Sequence, residues 1–251
     1  MPKLLLDMGN SRLKSAVLSE VRQLTEFVFK PYDGLAPIEI LGQHLDSYAL
    51  TESVTMVSVL GDEFHQQTVK LLKQRDVPLR WVASEANSQG VINNYRRPTQ
   101  LGSDRFVALV AARKAFPDRC CVVVDCGTAV TVDALNARGE FCGGVIIPGL
   151  KLWSDSLIKR AGQLNEHQIE DTELFARDTA QAIGSGSIFG LTSAIEGISL
   201  RMTKQLEKSN QANTEVMLII CGGDAELVGR YSYLKFELMP HLVLMGLAEY
   251  T

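Results

Sequence analysis

A chain of 251 residues, 46% apolar and 22% charged, can bury a large core as one big domain or two small ones, like an ordinary soluble globular protein. A formal net charge of −4 without a basic block points to neither a nucleic acid nor an anionic membrane as partner. Five cysteines, odd in number and without CxxC spacing, suggest neither a disulfide framework nor a zinc site.

With no secretory signal in the opening residues and no run long enough to span a membrane, the expectation is a cytoplasmic protein. The first strand is expected in KLLLDMGNSRLK, from Lys3 to Lys14, where an apolar run ends on Asp7 and a small-residue turn at Gly9–Ser11. The chain then continues outward from Leu13 to Leu18, making a hairpin. Pro31 to Pro37 reads as a loop, followed by a modest helical pattern through Ile38, Leu41 and Leu45. Val54 to Leu60 is a strand ending at Gly61-Asp62, and Phe64 to Arg75 an amphipathic helix with Phe64, Val69, Leu71 and Leu72 as apolar members. Leu79 to Val82 is another short strand. Strand, helix, strand in that order favours an α/β sheet with some parallel pairs.

Ala83 to Gly102 is irregular, with Asn87, Gly90, Asn93, Asn94, Tyr95 and Pro98, and a loop of that length is often functional. A helix is expected to begin near Gly102-Ser103-Asp104-Arg105, with Ser103 as its N-cap, Asp104 in the first turn, and Phe106, Val107, Val110 and Ala111 on its apolar face. Pro117-Asp118 ends it and divides the chain into halves, 1–117 and 118–251. Strands follow at Cys120–Val124, Val130–Leu135 and Phe141–Ile147, with a turn at Asn136–Gly139 and a stop at Pro148-Gly149. Leu152 to Leu164 is weakly helical. Ile188 to Lys208 is the clearest helix, with Ile188, Leu191, Ile195, Ile198, Met202 and Leu206 at spacings of three and four. Val216 to Cys221 is a strand closed by Gly222-Gly223-Asp224, and Leu242 to Tyr250 packs as a helix.

Common nucleotide signatures are missing. There is no GxxxxGK[ST], and the glycines at 184, 186 and 190 lack a preceding strand, so they read as a helix start. His44, His65, His167 and His241 are scattered, and neither HExxH nor GxSxG occurs. What stands out is an echo. VVVDCGTAVTVD, from Val122 to Asp133, repeats the plan of the opening stretch: a strand, an aspartate, a glycine and then hydroxyl or amide residues. A single Asp-x-Gly at a strand end is more often a turn than a site. Two copies half a chain apart suggest two halves on one plan, and facing turns of this kind can supply N–H and hydroxyl donors for phosphates and oxygen ligands for Mg²⁺. Gly222-Gly223-Asp224 adds a small-residue surface that an adenosine ring could approach. In the first turn of its helix, Asp104 either complements the helix dipole or serves as a base.

These pieces resemble the actin, sugar-kinase and Hsp70-type ATPase superfamily, and more narrowly type III pantothenate kinase. The resemblance rests on DMGNSRLK (Asp7–Lys14), DCGTAVT (Asp125–Thr131), CGGDA (Cys221–Ala225), GGVIIPG (Gly143–Gly149), and Tyr95 with Pro98 and LGSDR (Leu101–Arg105). It covers nearly the whole chain. The resemblance implies an α/β fold of two duplicated ribonuclease H-like subdomains, the actin-like ATPase fold, with a nucleotide cleft between them. It implies transfer of the γ-phosphate of ATP to pantothenate, giving 4′-phosphopantothenate in the first step of coenzyme A synthesis.

By the same resemblance Asp104 is the general base, and Tyr95, Gly102, Ser103, Asp104, Arg105 and Thr179 contact pantothenate. ATP meets Asp7, Met8, Gly9, Asn10, Ser11, Arg12, Leu13, Lys14, Thr128, Gly222, Gly223 and Asp224. Asp7 takes part in Mg²⁺ binding through water, and Asp125 holds a monovalent cation, K⁺ or NH₄⁺. Ser11 stands where the family more often has threonine, and the hydroxyl is kept. A homodimer is also implied. Two other readings are an ATP-binding accessory or regulatory protein without phosphotransfer, and a kinase for another small hydroxylated substrate. Asp104 with Arg105 argues against the first, and the Tyr95–Arg105 pattern against the second.

Overall fold

Lys3–Met8 (β1) is covered on both faces, which is why its sequence is an unbroken apolar run rather than an alternation. The structure, a computed structural model, describes residues 2–48, 50–161, 172–209 and 215–251. Arg12–Leu18 (β2) returns antiparallel to β1, and Leu24–Pro31 (β3) continues the meander. After helix Pro37–Asp46 (α1), Ser53–Ser58 (β4) pairs parallel with β1. Helix Gly61–Gln74 (α2) then leads to Leu79–Trp81 (β5), parallel to β4. The sheet order is β3-β2-β1-β4-β5. Leu4, Leu6 and Met8 pack beneath Ile40, Leu41, Phe64 and Leu72 of the two helices. Each such buried side chain contributes about 1.5–3 kcal/mol. Within α2 the buried positions are Phe64, Thr68 and Leu72, whereas Val69, expected on the apolar face, is exposed.

The irregular segment contains a hairpin, Asn87–Ser88 (β6) with Val91–Asn93 (β7), turning at Gln89 and Gly90, both at positive φ. A two-residue turn of that kind is the type I′ pattern. A single 3₁₀ turn at Pro98–Gln100 precedes helix Ser103–Ala115 (α3). The Gly102 carbonyl accepts the Phe106 N–H at 3.0 Å, so Gly102, rather than the expected Ser103, occupies the N-cap position.

Cys121–Cys126 (β8), Ala129–Leu135 (β9) and Glu140–Pro148 (β10) form a second antiparallel meander. Helices Leu150–Ala161 (α4) and Thr179–Ser209 (α5) follow. The predicted helix at 152–164 therefore starts earlier, and its positions 162–164 lie outside the described residues, as does His167. Met217–Cys221 (β11) pairs parallel with β8, and after helix Ala225–Tyr231 (α6) Glu237–Leu238 (β12) pairs parallel with β11. The order β10-β9-β8-β11-β12 repeats β3-β2-β1-β4-β5, a three-strand meander extended by two parallel strands. Val122, Val124, Val130 and Val132 pack against Ile188, Leu191 and Ile195 of α5 and Val228 of α6. The predicted duplication is thus a duplication of topology, and the fold is that of two ribonuclease H-like, actin-like subdomains.

Packing divides the chain into two compact units, Met1–Ala115 with His241–Thr251, and Phe116–Pro240. The last helix, Leu242–Ala248 (α7), packs on α3 and on β1 of the first unit. The sequence division at 117/118 places that tail in the second half.

Candidate functional site

In the first unit β1 delivers Asp7 to the head of the β1–β2 hairpin. Asp7 and Lys14 are register partners on adjacent strands, so their side chains share one face. Their charges meet at 3.2 Å, with Asp7 only 4% exposed. The Gly9 N–H donates to the Arg12 carbonyl at 3.2 Å, which closes the turn, while Asn10, Ser11 and Arg12 form its exposed tip. Tyr32, which sequence reading passed over, locks the turn from outside. Its hydroxyl donates to the Gly9 carbonyl at 2.7 Å and its N–H to the Ser11 carbonyl at 3.1 Å. Burial, and then the charge of Asp7, push its hydroxyl pKa well up, so it stays a donor. Met8 and Leu13 bury their side chains completely. They can reach a ligand only through main chain.

The second cluster of this unit is Tyr95 to Arg105. Arg105 is 7% exposed despite its charge, and its Nη1 donates to the Tyr95 hydroxyl at 3.1 Å. The guanidinium carbon lies 5.8 Å from the centre of the Tyr95 ring, within cation–π range. Asp104 turns its carboxylate back over the start of α3, where Oδ1 accepts the Arg105 N–H at 2.7 Å. A Cβ on Gly102 would stand 2.7 Å from that same oxygen. Glycine there leaves the carboxylate its space. Ser103 is the first helical residue, half-buried beside it.

In the second unit Asp125 stands near the end of β8, with Thr128 exposed on the turn into β9. Gly222 has a φ of +95°, and a Cβ there would overlap Asp125 Oδ1 and the Cys126 carbonyl oxygen. The Asp224 N–H donates to that same carbonyl at 3.1 Å. Burial, and then the carboxylates of Asp125 and Asp224, hold the Cys126 thiol protonated. The predicted Asp125 and Gly222–Asp224 motifs therefore come together around adjacent strand ends. Gly149 closes the β8–β9 turn from the far side, its N–H donating to the Thr128 carbonyl at 3.1 Å. A side chain there would overlap the Gly127 and Thr128 carbonyl oxygens. Thr179 lies elsewhere, exposed at the first position of α5, whose N-cap is Asp178.

His44, His65 and His241 serve packing. His44 is buried with neither ring nitrogen hydrogen-bonded among the described residues, and burial, then Lys30, pull its pKa down to about 4. His65 stacks on Trp81 at 4.2 Å and His241 on Phe27 at 3.7 Å. Among the described residues no helix is long and apolar enough to cross a membrane.

Residues 3–201 match the family model described as type III pantothenate kinase. A type III pantothenate kinase of Janthinobacterium sp. (strain Marseille) is 35% identical, over 97% of this chain and 95% of its own. That of Herminiimonas arsenicoxydans is also 35% identical with the same coverage. Among solved structures, a Sinorhizobium meliloti protein provisionally assigned as a 2-dehydro-3-deoxygalactonokinase superposes with a TM-score of 0.59, at 12% identity, over 98% of this chain and 97% of that one. That likeness concerns the fold alone. Matched along nearly its whole length to relatives of its own size, and built twice on one strand order with an aspartate at each β1-type strand, the chain belongs to the type III pantothenate kinase family.

Proposed function

We propose that Asp104 accepts the proton of the pantothenate primary hydroxyl as this kinase transfers the γ-phosphate of ATP to it. The freed oxygen forms the new P–O bond, the bond between the γ-phosphorus and the β–γ bridging oxygen breaks, and ADP leaves with that oxygen. The carrying observation is the seat of Asp104: its carboxylate lies at the start of α3, held by the Arg105 N–H at 2.7 Å over a glycine that leaves room for it. A helix N-terminus favours the charged carboxylate that a base must be. Arg105 and Tyr95, already paired, present a cationic and a hydroxyl group suited to an anionic, hydroxylated acceptor. Gly102 and Ser103 line the same start of helix, and Thr179 is carried as a pantothenate contact by the family resemblance alone.

The turn from Asp7 to Lys14 receives the triphosphate, with Lys14 as a cation and Gly9 to Arg12 as main-chain and hydroxyl contacts. Thr128 supplies a hydroxyl from the equivalent turn, and Gly222, Gly223 and Asp224 take the adenosine. Mg²⁺ uses one or two carboxylates together with substrate phosphates rather than an all-protein cage, and in this reading Asp7 offers one, through water. When bound it neutralises charge on the phosphates. Asp125 suits a monovalent cation, because its Oδ1 and the Cys126 carbonyl, both hard oxygen donors, converge beside Gly222. Such an ion offsets the charge that carboxylates and a triphosphate gather. The working form is proposed to be a cytoplasmic homodimer. With little covalent work for the protein, rate comes from positioning and electrostatics.

The test is direct. Purified protein with ATP, Mg²⁺, K⁺ and pantothenate should release ADP only when pantothenate is present. Release that ignores pantothenate, or none at all, would remove this reading.

A further inference from the structure

We infer that Asn93 is a positioning residue for the acceptor substrate, a buried amide that holds Tyr95 and the entry to α3 in one arrangement. The inference rests on the assignment of Tyr95–Arg105 to pantothenate. Asn93 ends β7, where its N–H donates to the Ala86 carbonyl at 2.9 Å. Its side chain is 5% exposed, and both ends of the amide are used. Oδ1 accepts the Tyr95 N–H at 3.1 Å. Nδ2 donates to the Pro98 carbonyl and to Ser84 Oγ, each at 3.0 Å. Ser84 Oγ in turn donates to the Pro98 carbonyl at 3.0 Å, and the Leu101 N–H reaches the same oxygen at 3.2 Å.

These bonds form a closed circuit. From Asn93 it runs to Tyr95, through the Tyr95 hydroxyl to Arg105, back along the start of α3 to Gly102 and Leu101, and through Pro98 to Asn93 again. The segment from Ala83 to Gly102 has little regular structure of its own, only the short β6–β7 hairpin and one 3₁₀ turn. Its shape therefore depends on side-chain bonds more than a strand or helix does. Only an amide joins an acceptor for the Tyr95 N–H to donors for Pro98 and Ser84. Removing it leaves a main-chain N–H unpaired and lets two ends of the substrate segment drift independently. The Asp7 turn is fixed by other contacts, those of Gly9, Arg12 and Tyr32, so the ATP side should be untouched.

The experiment measures KM and kcat for each substrate in Asn93→Ala, Asn93→Asp and Ser84→Ala, with thermal melting of each. A misplacement of about 1 Å can lower turnover on the order of 10²-fold, so Asn93→Ala should lower kcat/KM for pantothenate about 10- to 100-fold with KM for ATP within about twofold. Asn93→Asp keeps the acceptor for the Tyr95 N–H and should fall between Asn93→Ala and the unaltered protein. Ser84→Ala should move the same parameter in the same direction by less, and it carries the test should Asn93→Ala fail to fold. Pantothenate parameters unchanged in the folded variants, or equal rises in both KM values, would overturn the positioning role. An unaltered protein that ignores pantothenate would instead defeat the functional reading. Amide hydrogen exchange at Tyr95 would still decide the clamp, since it should accelerate in Asn93→Ala, and unchanged protection would overturn it.

Discussion

Asp104 has its position set by its neighbours: Gly102 on one side, where any Cβ would crowd Oδ1, and the Arg105 N–H on the other. Replacing it by asparagine keeps the shape and an oxygen acceptor for that N–H but removes the basic carboxylate. Asp104→Asn should lower kcat by about 10²–10⁴-fold, the range of general-base contributions, with ATP affinity by calorimetry unchanged. Turnover within about twofold of the unaltered enzyme would place the base elsewhere. Of the proposed site residues, Asp104 and Arg105 stood out in the sequence because they sit in a short motif at a helix start, and Tyr95 because of the family resemblance. Asn93 and Tyr32 were not. A polar or aromatic side chain in irregular chain has no period, and its partners, Pro98 and Ser84 in one case and Gly9 in the other, are met only in three dimensions.

Strands β1 and β8 were the easiest elements to read, because burial on both faces demands LLLD and VVVD as continuous apolar runs. β3 escaped because it is an edge strand: Phe27 and Phe29 remain partly exposed, and no apolar run marks its bounds. β6 and β7, of two and three residues, are too short for any pattern to register. At this scale Gly222, between β11 and α6, is the informative position. Its φ of +95° suits glycine, and a methyl group would meet Asp125 and the Cys126 carbonyl. Gly222→Ala should therefore disturb the proposed cation site. Activity should rise with K⁺ in the unaltered enzyme, and the variant should need about tenfold more K⁺ or lose about tenfold in rate, as expected when a bound cation offsets local charge. Indifference of the unaltered enzyme to K⁺ would remove Asp125 as a cation ligand.

The whole molecule shows something that neither residue nor motif announces: the first unit is discontinuous, completed by the last stretch of the chain. The sequence marks α7 as apolar, but an apolar segment does not say which core it joins. The answer lies in one crossing. Gly246 of α7 packs so closely on α3 that a Cβ would overlap the Val107 carbonyl oxygen and stand 2.7 Å from Val107 Cγ1. In an open helix, alanine in place of glycine gains about 0.5–1 kcal/mol through backbone entropy. Here the methyl would have to push against main chain, and overpacking of that kind costs about 1–3 kcal/mol, so the loss should win. Gly186 in α5 is the matched control, exposed and with nothing within 4 Å of its Cβ. Gly246→Ala should lower the midpoint of thermal unfolding by several degrees, at about 2–4 °C per kcal/mol for a chain of this size, while Gly186→Ala should hold or raise it. If both variants melted alike, α7 would not be an integral layer of the first unit. The opposite shifts expected from one and the same substitution would make the close α3–α7 contact, rather than helix propensity, the reason glycine stands at 246.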